Sequence, residues 1–382
     1  MNWNYGVNNN MKSTNINIDF YMPVRIISGE GCIAANQCLF GIGKKALIVT
    51  GAHSAKKSGA LGDVTSALDS LGIGYSVFDR IMENPLVSVC YEGGAAAREF
   101  GADFVIGIGG GSAMDAAKAV AAFASNPNLP PEGIFDPELT PSLPLILIPT
   151  TAGTGSEANM ISVLTLDGKD AKKSFKSDYS YPKYAFVDPV YTYSLSYDYT
   201  ISTALDAFCH CIESYLSPKS SEITRVLATD GARDIWKVLS EISPETPISE
   251  EQRRLLAYAS CRGGIAINGT GTGFPHPLGY NLTMYHGIPH GKACAAFTGE
   301  YLYYNMKSND GRQLITRFAD LIGASPELIA ENLPGWAGIK LKLSSDEIDL
   351  FIRQVGGASN YKNSPYIINE IEMREIYSKL FS

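Results

Sequence analysis

The sequence predicts an α/β domain built on a parallel sheet, followed by an all-helical domain. Three observations carry this. Apolar, β-branched runs alternate with helix-like stretches through the first half. Strand-like runs stop after Pro189, and long segments of helical periodicity follow, broken by Gly and Pro. A chain of 382 residues is too long for one ordinary small core. The division falls at residues 1–195 and 196–382, the α/β pattern itself running from about residue 20.

The strands expected in order are Ala46–Thr50, Tyr75–Phe78, Asp103–Gly109, Leu143–Thr150 and Tyr184–Asp188. Runs such as Phe104–Ile108 are apolar without alternation, as strands covered on both faces are. Between them lie helices over Ala55–Leu71, Ser88–Phe100 and Ser112–Ser125, the crossovers that parallel strands require. In the second half the periodicity predicts helices over Ile201–Leu216, Glu222–Leu239, Glu251–Ile267 and Gly311–Gly323. From about residue 340 the pattern weakens to short helices.

Composition removes several classes of function. Hydrophobic residues make up 45% and charged residues 18%, which excludes a disordered chain. With 39 acids against 31 bases the chain lacks the basic field of a nucleic-acid binder. The longest apolar runs are strand-length, far short of a membrane span. The polar, Asn-rich start has no apolar centre of a secretory signal. Seven cysteines, an odd number without CxxC spacing, point to free thiols in a reducing cytoplasm.

Four segments carry candidate chemistry. Gly109-Gly110-Gly111-Ser112 follows a strand and opens a helix, where free N–H groups and the helix dipole favour a phosphate. The bland alternative is a sharp turn. Pro149-Thr150-Thr151-Ala152-Gly153-Thr154-Gly155-Ser156-Glu157 leaves another buried strand and offers hydroxyls to a ribose or diphosphate, or simply a helix cap. After the first predicted strand stands Gly51, with Ser54, Lys56 and Lys57 nearby. A carboxylate there would repel a 2′-phosphate, whereas these residues offer donors and positive charge, unless the lysines only solvate a helix. Finally, Asp206 and His210 are one turn apart on a helix and can share a metal ion, or form an ion pair. Of only five histidines, three more fall in the Gly/Pro-rich segment at His276, His286 and His290. His276 and His290 would stand about 21 Å apart on a straight helix, so they can share an ion only if the chain reverses, and Gly287-Ile288-Pro289 offers the break. Asp with histidines suits Fe2+ or Zn2+ better than Ca2+ or Mg2+.

In their order, GGGSAMDAAK, PTTAGTGSE, DAFCH and GIPHG resemble the group III, iron-containing alcohol dehydrogenases, the match running from about Val24 to about Cys294. The resemblance implies a dinucleotide-binding α/β domain and a helical metal-binding domain, as in the dehydroquinate synthase-like fold. It implies metal ligands Asp206, His210, His276 and His290. It assigns Gly110, Gly111 and Ser112 to the diphosphate, with Asp115 and Lys118 following on the helix. Thr150, Thr151 and Thr154 would line the nicotinamide side, and Lys172 would contact the cofactor. Gly51 and Ser54 resemble an NADPH-dependent butanol dehydrogenase or aldehyde reductase subgroup, favouring NADP(H) over NAD(H). Many members carry a further histidine where this chain has Tyr280. A tyrosine titrates near 10, so the proton relay falls to Tyr280 or, in its place, His286. The reaction implied is reversible hydride transfer between a primary alcohol or diol and its aldehyde, in a homo-oligomer, expected to be a dimer. The rival readings are a dehydroquinate-synthase-like lyase, for which the helical half offers few bases near the histidines, and a non-enzymatic scaffold.

Overall fold

The structure, a computed structural model, describes residues 18–136, 140–168 and 171–382. Its first half carries eight strands: β1 Arg25–Ser28, β2 Lys45–Thr50, β3 Gly74–Phe78, β4 Phe104–Gly109, β5 Leu145–Pro149, β6 Ile161–Thr165, β7 Lys172–Lys176 and β8 Tyr184–Val187. Six form one sheet in the order β1-β8-β5-β4-β2-β3, every neighbouring pair parallel. β2, β4 and β5 are buried along almost their whole length, as their unbroken apolar runs require. Helices Ala60–Ser70, Val87–Phe100 and Gly111–Ser125 are the crossovers.

The five expected strands are present. Three others are not in the reading of the sequence. β1 is four residues long and pairs only with β8. β6 and β7 form a separate antiparallel pair. β7 reads Lys-Lys-Ser-Phe-Lys, with Phe175 as its single buried residue, so its apolar signal is slight. The predicted helix over residues 55–71 is two helices, Ser54–Lys57 and Ala60–Ser70, parted where Gly59 takes a left-handed φ of 88°.

The second half is helical. Tyr197–Leu216 runs through its centre and is buried on nearly every side from Thr200 onward. Ser196 caps its start by accepting from the Tyr199 N–H. Glu222–Glu241 and Glu250–Thr270 pack against it. Arg253, buried, donates to the Thr192 and Leu195 carbonyls and to Thr200 Oγ1, fixing the connection between the two halves. The Gly/Pro-rich segment folds as helix Pro275–His286, ended by Gly287 at φ 64°, then helix His290–Ala295. Its prolines sit in the first turn, where no N–H is needed. The tail docks here as well: Tyr377, on the last helix Glu370–Phe381, donates its hydroxyl proton to the Leu278 carbonyl. Two of the three largest apolar cores lie on opposite faces of the sheet and one fills the helical half.

Candidate active site

The one-turn spacing of Asp206 and His210 places both on one face of the central helix. Helix His290–Ala295 crosses that helix at Gly291. A Cβ there would collide with the Ser202 carbonyl and stand 2.9 Å from the Asp206 Cβ, so only glycine lets the helices close. The crossing brings His290 to Asp206, and helix Pro275–His286 brings His276. The Nε2 atoms of His210, His276 and His290 lie 3.6, 3.6 and 3.7 Å from one oxygen, Asp206 Oδ1. That oxygen and His276 Nε2 are buried without a hydrogen-bond partner. A tetrahedral centre with bonds of about 2.0–2.2 Å has edges of about 3.3–3.6 Å, which the three distances to Asp206 Oδ1 approach; the residues whose ligand atoms all lie within 4.8 Å of one another are Asp206, His276, His290 and Cys294.

The surroundings fix the rings. Glu213, fully buried one further turn along the central helix, meets His276 Nδ1 at 2.9 Å and accepts from the Gly273 N–H at 2.6 Å. This leaves Nε2 to face Asp206, the arrangement of a carboxylate behind a metal-binding histidine. His210 stacks on His276 with centroids 4.9 Å apart, and Tyr280 stacks on His290 at 5.7 Å. Burial works against the Asp206 charge, yet His210, His276 and His290 hold its carboxyl well below the usual range. Burial likewise works against charge on His276, but Glu213 and Asp206 outweigh it and raise the imidazole to about 10. Burial pushes His290 down to about 3. The cluster demands positive charge between its two carboxylates, and a divalent cation on neutral imidazoles meets that demand.

The second part of the site lies on the sheet. β3 and β4 flank β2 on opposite sides, so the chain order reverses between β2 and β4. The crevice beyond their carboxyl ends is where open α/β sheets bind ligands. Gly51 follows β2, Gly109 to Ser112 follow β4 and Thr150 to Thr154 follow β5, which places all three loops side by side. Gly109 takes φ 149°, and a Cβ on it would stand 2.7 Å from the Ala113 Cβ. A Cβ on Gly110 would stand 3.3 Å from Thr151 and one on Gly111 only 2.6 Å from Thr154, so the two loops pack with no room for a side chain at Gly111. No side chain caps helix Gly111–Ser125, and Thr150 Oγ1 is buried without a partner. An uncapped helix start among glycines suits a diphosphate.

Comparison with known proteins decides the family. The profile for iron-containing alcohol dehydrogenase matches residues 23–189, and that for the C-terminal part of the Fe-containing alcohol dehydrogenase family matches 200–333. The chain belongs to the iron-containing alcohol dehydrogenase family. It is an enzyme, an oxidoreductase. The solved iron-containing alcohol dehydrogenase of Thermotoga maritima is 35% identical, with a TM-score of 0.88 over 95% of this chain and 99% of that one. Sulfoacetaldehyde reductase from Bifidobacterium kashiwanohense, solved with NAD+, is 30% identical, with a TM-score of 0.85 over 95% and 98% of the two chains. The NADPH-dependent butanol dehydrogenase of Clostridium saccharobutylicum is 27% identical over 384 aligned positions, 95% of this chain and 97% of that one.

Within this iron-containing alcohol dehydrogenase, the polar and charged side chains singled out from the sequence fall in four places. Asp206, His210, His276 and His290 come together, with Tyr280 against His290. Lys172 stands between the two parts of the site: its ammonium donates to Asn84 Oδ1 at 2.7 Å and lies 5.4 Å from the centre of the Tyr280 ring. Asn84 also donates its N–H to Ser112 Oγ, and it is the one non-glycine with positive φ among the described residues. Asp115 and Lys118 turn inward. Asp115 accepts from Ser156 Oγ at 2.6 Å and from the Val163 N–H at 2.9 Å, with Lys118 Nζ 3.8 Å away. His286 does not join the histidine cluster. Ten residues beyond His276 on one helix, it is about 15 Å further along, with Nε2 3.4 Å from Glu347. Glu213 and Cys294 are the residues that the sequence reading passed over. Asp206, His210 and Glu213 follow an i, i+4, i+7 stripe, and His290 and Cys294 are again four apart. No helix among the described residues is long and apolar enough to cross a membrane.

Proposed function

We propose that this enzyme holds one divalent ion, Fe2+ or Zn2+, on Asp206, His210, His276 and His290, and interconverts a primary alcohol and its aldehyde with a nicotinamide cofactor. The observation that carries the reading is the orphaned Asp206 Oδ1, ringed by three imidazole Nε2 atoms. When bound, the ion supplies a Lewis acid for the substrate oxygen. The protein's own part is positioning. Gly110, Gly111 and Ser112 hold the diphosphate, and Thr150, Thr151 and Thr154 lie along the nicotinamide side. Glu213 keeps the His276 Nε2 aimed at the ion. Tyr280 serves as a hydrogen-bond donor beside the substrate: burial pushes its phenol up, so it stays protonated across the physiological range. His286, paired with Glu347, takes no part in the relay.

NADP(H) is favoured over NAD(H). Gly51 puts no carboxylate at the end of β2, and Ser54 Oγ lies between Gly51 and Gly109. Lys56 is 3.6 Å from Asp79, an exposed pair of small energetic weight that leaves its charge near the same edge. The NADPH-dependent butanol dehydrogenase supports this preference, while the reductase solved with NAD+ speaks for the other cofactor. The seven free cysteines support a cytoplasmic setting, and the family resemblance supports a homodimer.

An aldehyde panel with NADH and NADPH tests the whole reading. Chelation should abolish reduction, and Fe2+ or Zn2+ should restore it; full activity in a demonstrably metal-free sample refutes the ion's role. Equal kcat/KM for the two cofactors, or a preference for NADH, refutes the NADP(H) assignment.

A further inference from the structure

We infer that Cys294 is an alternative metal ligand, and that the cluster contains a second, softer ligand set: Asp206, His276, His290 and Cys294. The inference rests on the proposal that this cluster binds a divalent ion. One ligand atom from each of these four residues lies within 4.8 Å of the other three. Cys294 Sγ is 3.7 Å from His290 Nε2. Nδ1 of the same ring is 3.8 Å from that sulfur, so the sulfur lies beside the ring and the imidazole must turn before one ion can join Nε2 and Sγ with bonds of about 2.1 and 2.3 Å. Cys294 is buried, and two of the atoms it would join, Asp206 Oδ1 and His276 Nε2, are buried and lack hydrogen-bond partners.

The geometry has a simple origin. Two one-turn pairs, Asp206 with His210 and His290 with Cys294, sit on two helices that cross at Gly291. Each helix therefore contributes a pair, and His276 completes either set. The two sets share Asp206, His276 and His290 and differ in the fourth ligand. With His210 the donors are nitrogen and oxygen, acceptable to Fe2+. With Cys294 a sulfur replaces a nitrogen, which favours Zn2+ and other thiophilic ions. Ligation exchanges the S–H bond for a sulfur–metal bond and releases the proton to solvent.

The test uses Co2+ alone, added to the metal-free full-length protein, because a cobalt–thiolate bond gives a near-ultraviolet charge-transfer band and imidazole or carboxylate does not. The unmodified protein should bind cobalt and show the band. Cys294→Ser and Cys294→Ala should bind cobalt without it, and their preference for Zn2+ over Fe2+ in competition should fall. His210→Ala should keep the band. Cobalt binding without a band in the unmodified protein overturns the inference and leaves the four-residue site proposed above intact. A band that survives in Cys294→Ala overturns it too. Failure of the unmodified protein to bind cobalt overturns both.

Discussion

Two buried clusters of charge lie in this protein, and they differ in how well they are satisfied. In the first half, Lys118 is fully buried on helix Gly111–Ser125. Its ammonium donates to the Ser156 carbonyl and hydroxyl, to Asn159 Oδ1 and to the Ile161 carbonyl at 2.7–3.2 Å. Asp115 beside it is likewise occupied by Ser156 and the Val163 N–H. In the second half, Asp206 Oδ1 and His276 Nε2 have no hydrogen-bond partner at all. Burying an unpaired charge is costly, so a cluster that closes on itself acts as a staple, and one that does not is shaped for a cation it lacks within the chain. Lys118 ties the loop after β5 and the start of β6 to helix Gly111–Ser125, whereas the histidine cluster offers its free atoms inward to one point.

The largest effect expected is from His276→Ala. It opens the unsatisfied cluster and should remove bound metal and activity together, measured by metal analysis and aldehyde reduction on the same sample. Retained metal would break the comparison. Lys118→Met acts on the satisfied cluster. It removes the counter-charge beside the part-buried Asp115, which keeps its bonds from Ser156 and the Val163 N–H, and should cost about 1–3 kcal/mol in urea unfolding while the folded fraction keeps its metal. Glu213→Gln preserves shape but weakens the support behind His276, and chelator competition should show metal affinity reduced by about 10- to 100-fold. Placing a carboxylate after β2 with Gly51→Asp should lower kcat/KM for NADPH by about tenfold through like-charge repulsion of the 2′-phosphate. Its Cβ would stand 3.0 Å from the Ile81 carbonyl, which must yield slightly, so kcat/KM for NADH is the control.

The last expected effect is a slope rather than a step. Glu157 lies next to Lys118 and Cys261, and burial raises its carboxyl to about 7. Between the ordinary 4.5 and this value the folded chain keeps a proton that the unfolded chain has lost. Stability therefore falls as pH rises through that window, by up to about 1.4 kcal/mol per pH unit, and Glu157→Gln should flatten the fall. Thermal unfolding from pH 4 to 8 reads it. An unchanged slope in the variant would show that Glu157 is ionised throughout.

Much of this was legible because it is local. A strand, a glycine run and a helix in succession announce the tight turn after β4, and a one-turn spacing announces Asp206 with His210. The chain reversal between His276 and His290 follows from Gly287 and Pro289. What escaped depends on packing between segments distant in sequence. Asp115 and Lys118 sit in a cofactor motif, but they turn inward to Ser156, Asn159 and the β6 backbone, which no spacing reveals. His286, offered as a relay in place of Tyr280, lies ten residues beyond His276 on the same helix, which carries it away from the cluster. β7 was hidden by its lysines, since a strand open to solvent needs few apolar residues.

Gly155 and Gly264 meet where the loop after β5 presses on helix Glu250–Thr270, each blocking the place of the other's Cβ. The two halves touch there backbone to backbone, with no room for a side chain on either glycine. Such a contact behaves like the fulcrum of a lever. A single methyl group at either position is a wedge at the pivot, and a small displacement there grows with distance along the cleft, so the glycine turn after β4 and the histidine cluster would be driven out of register by a substitution that touches neither.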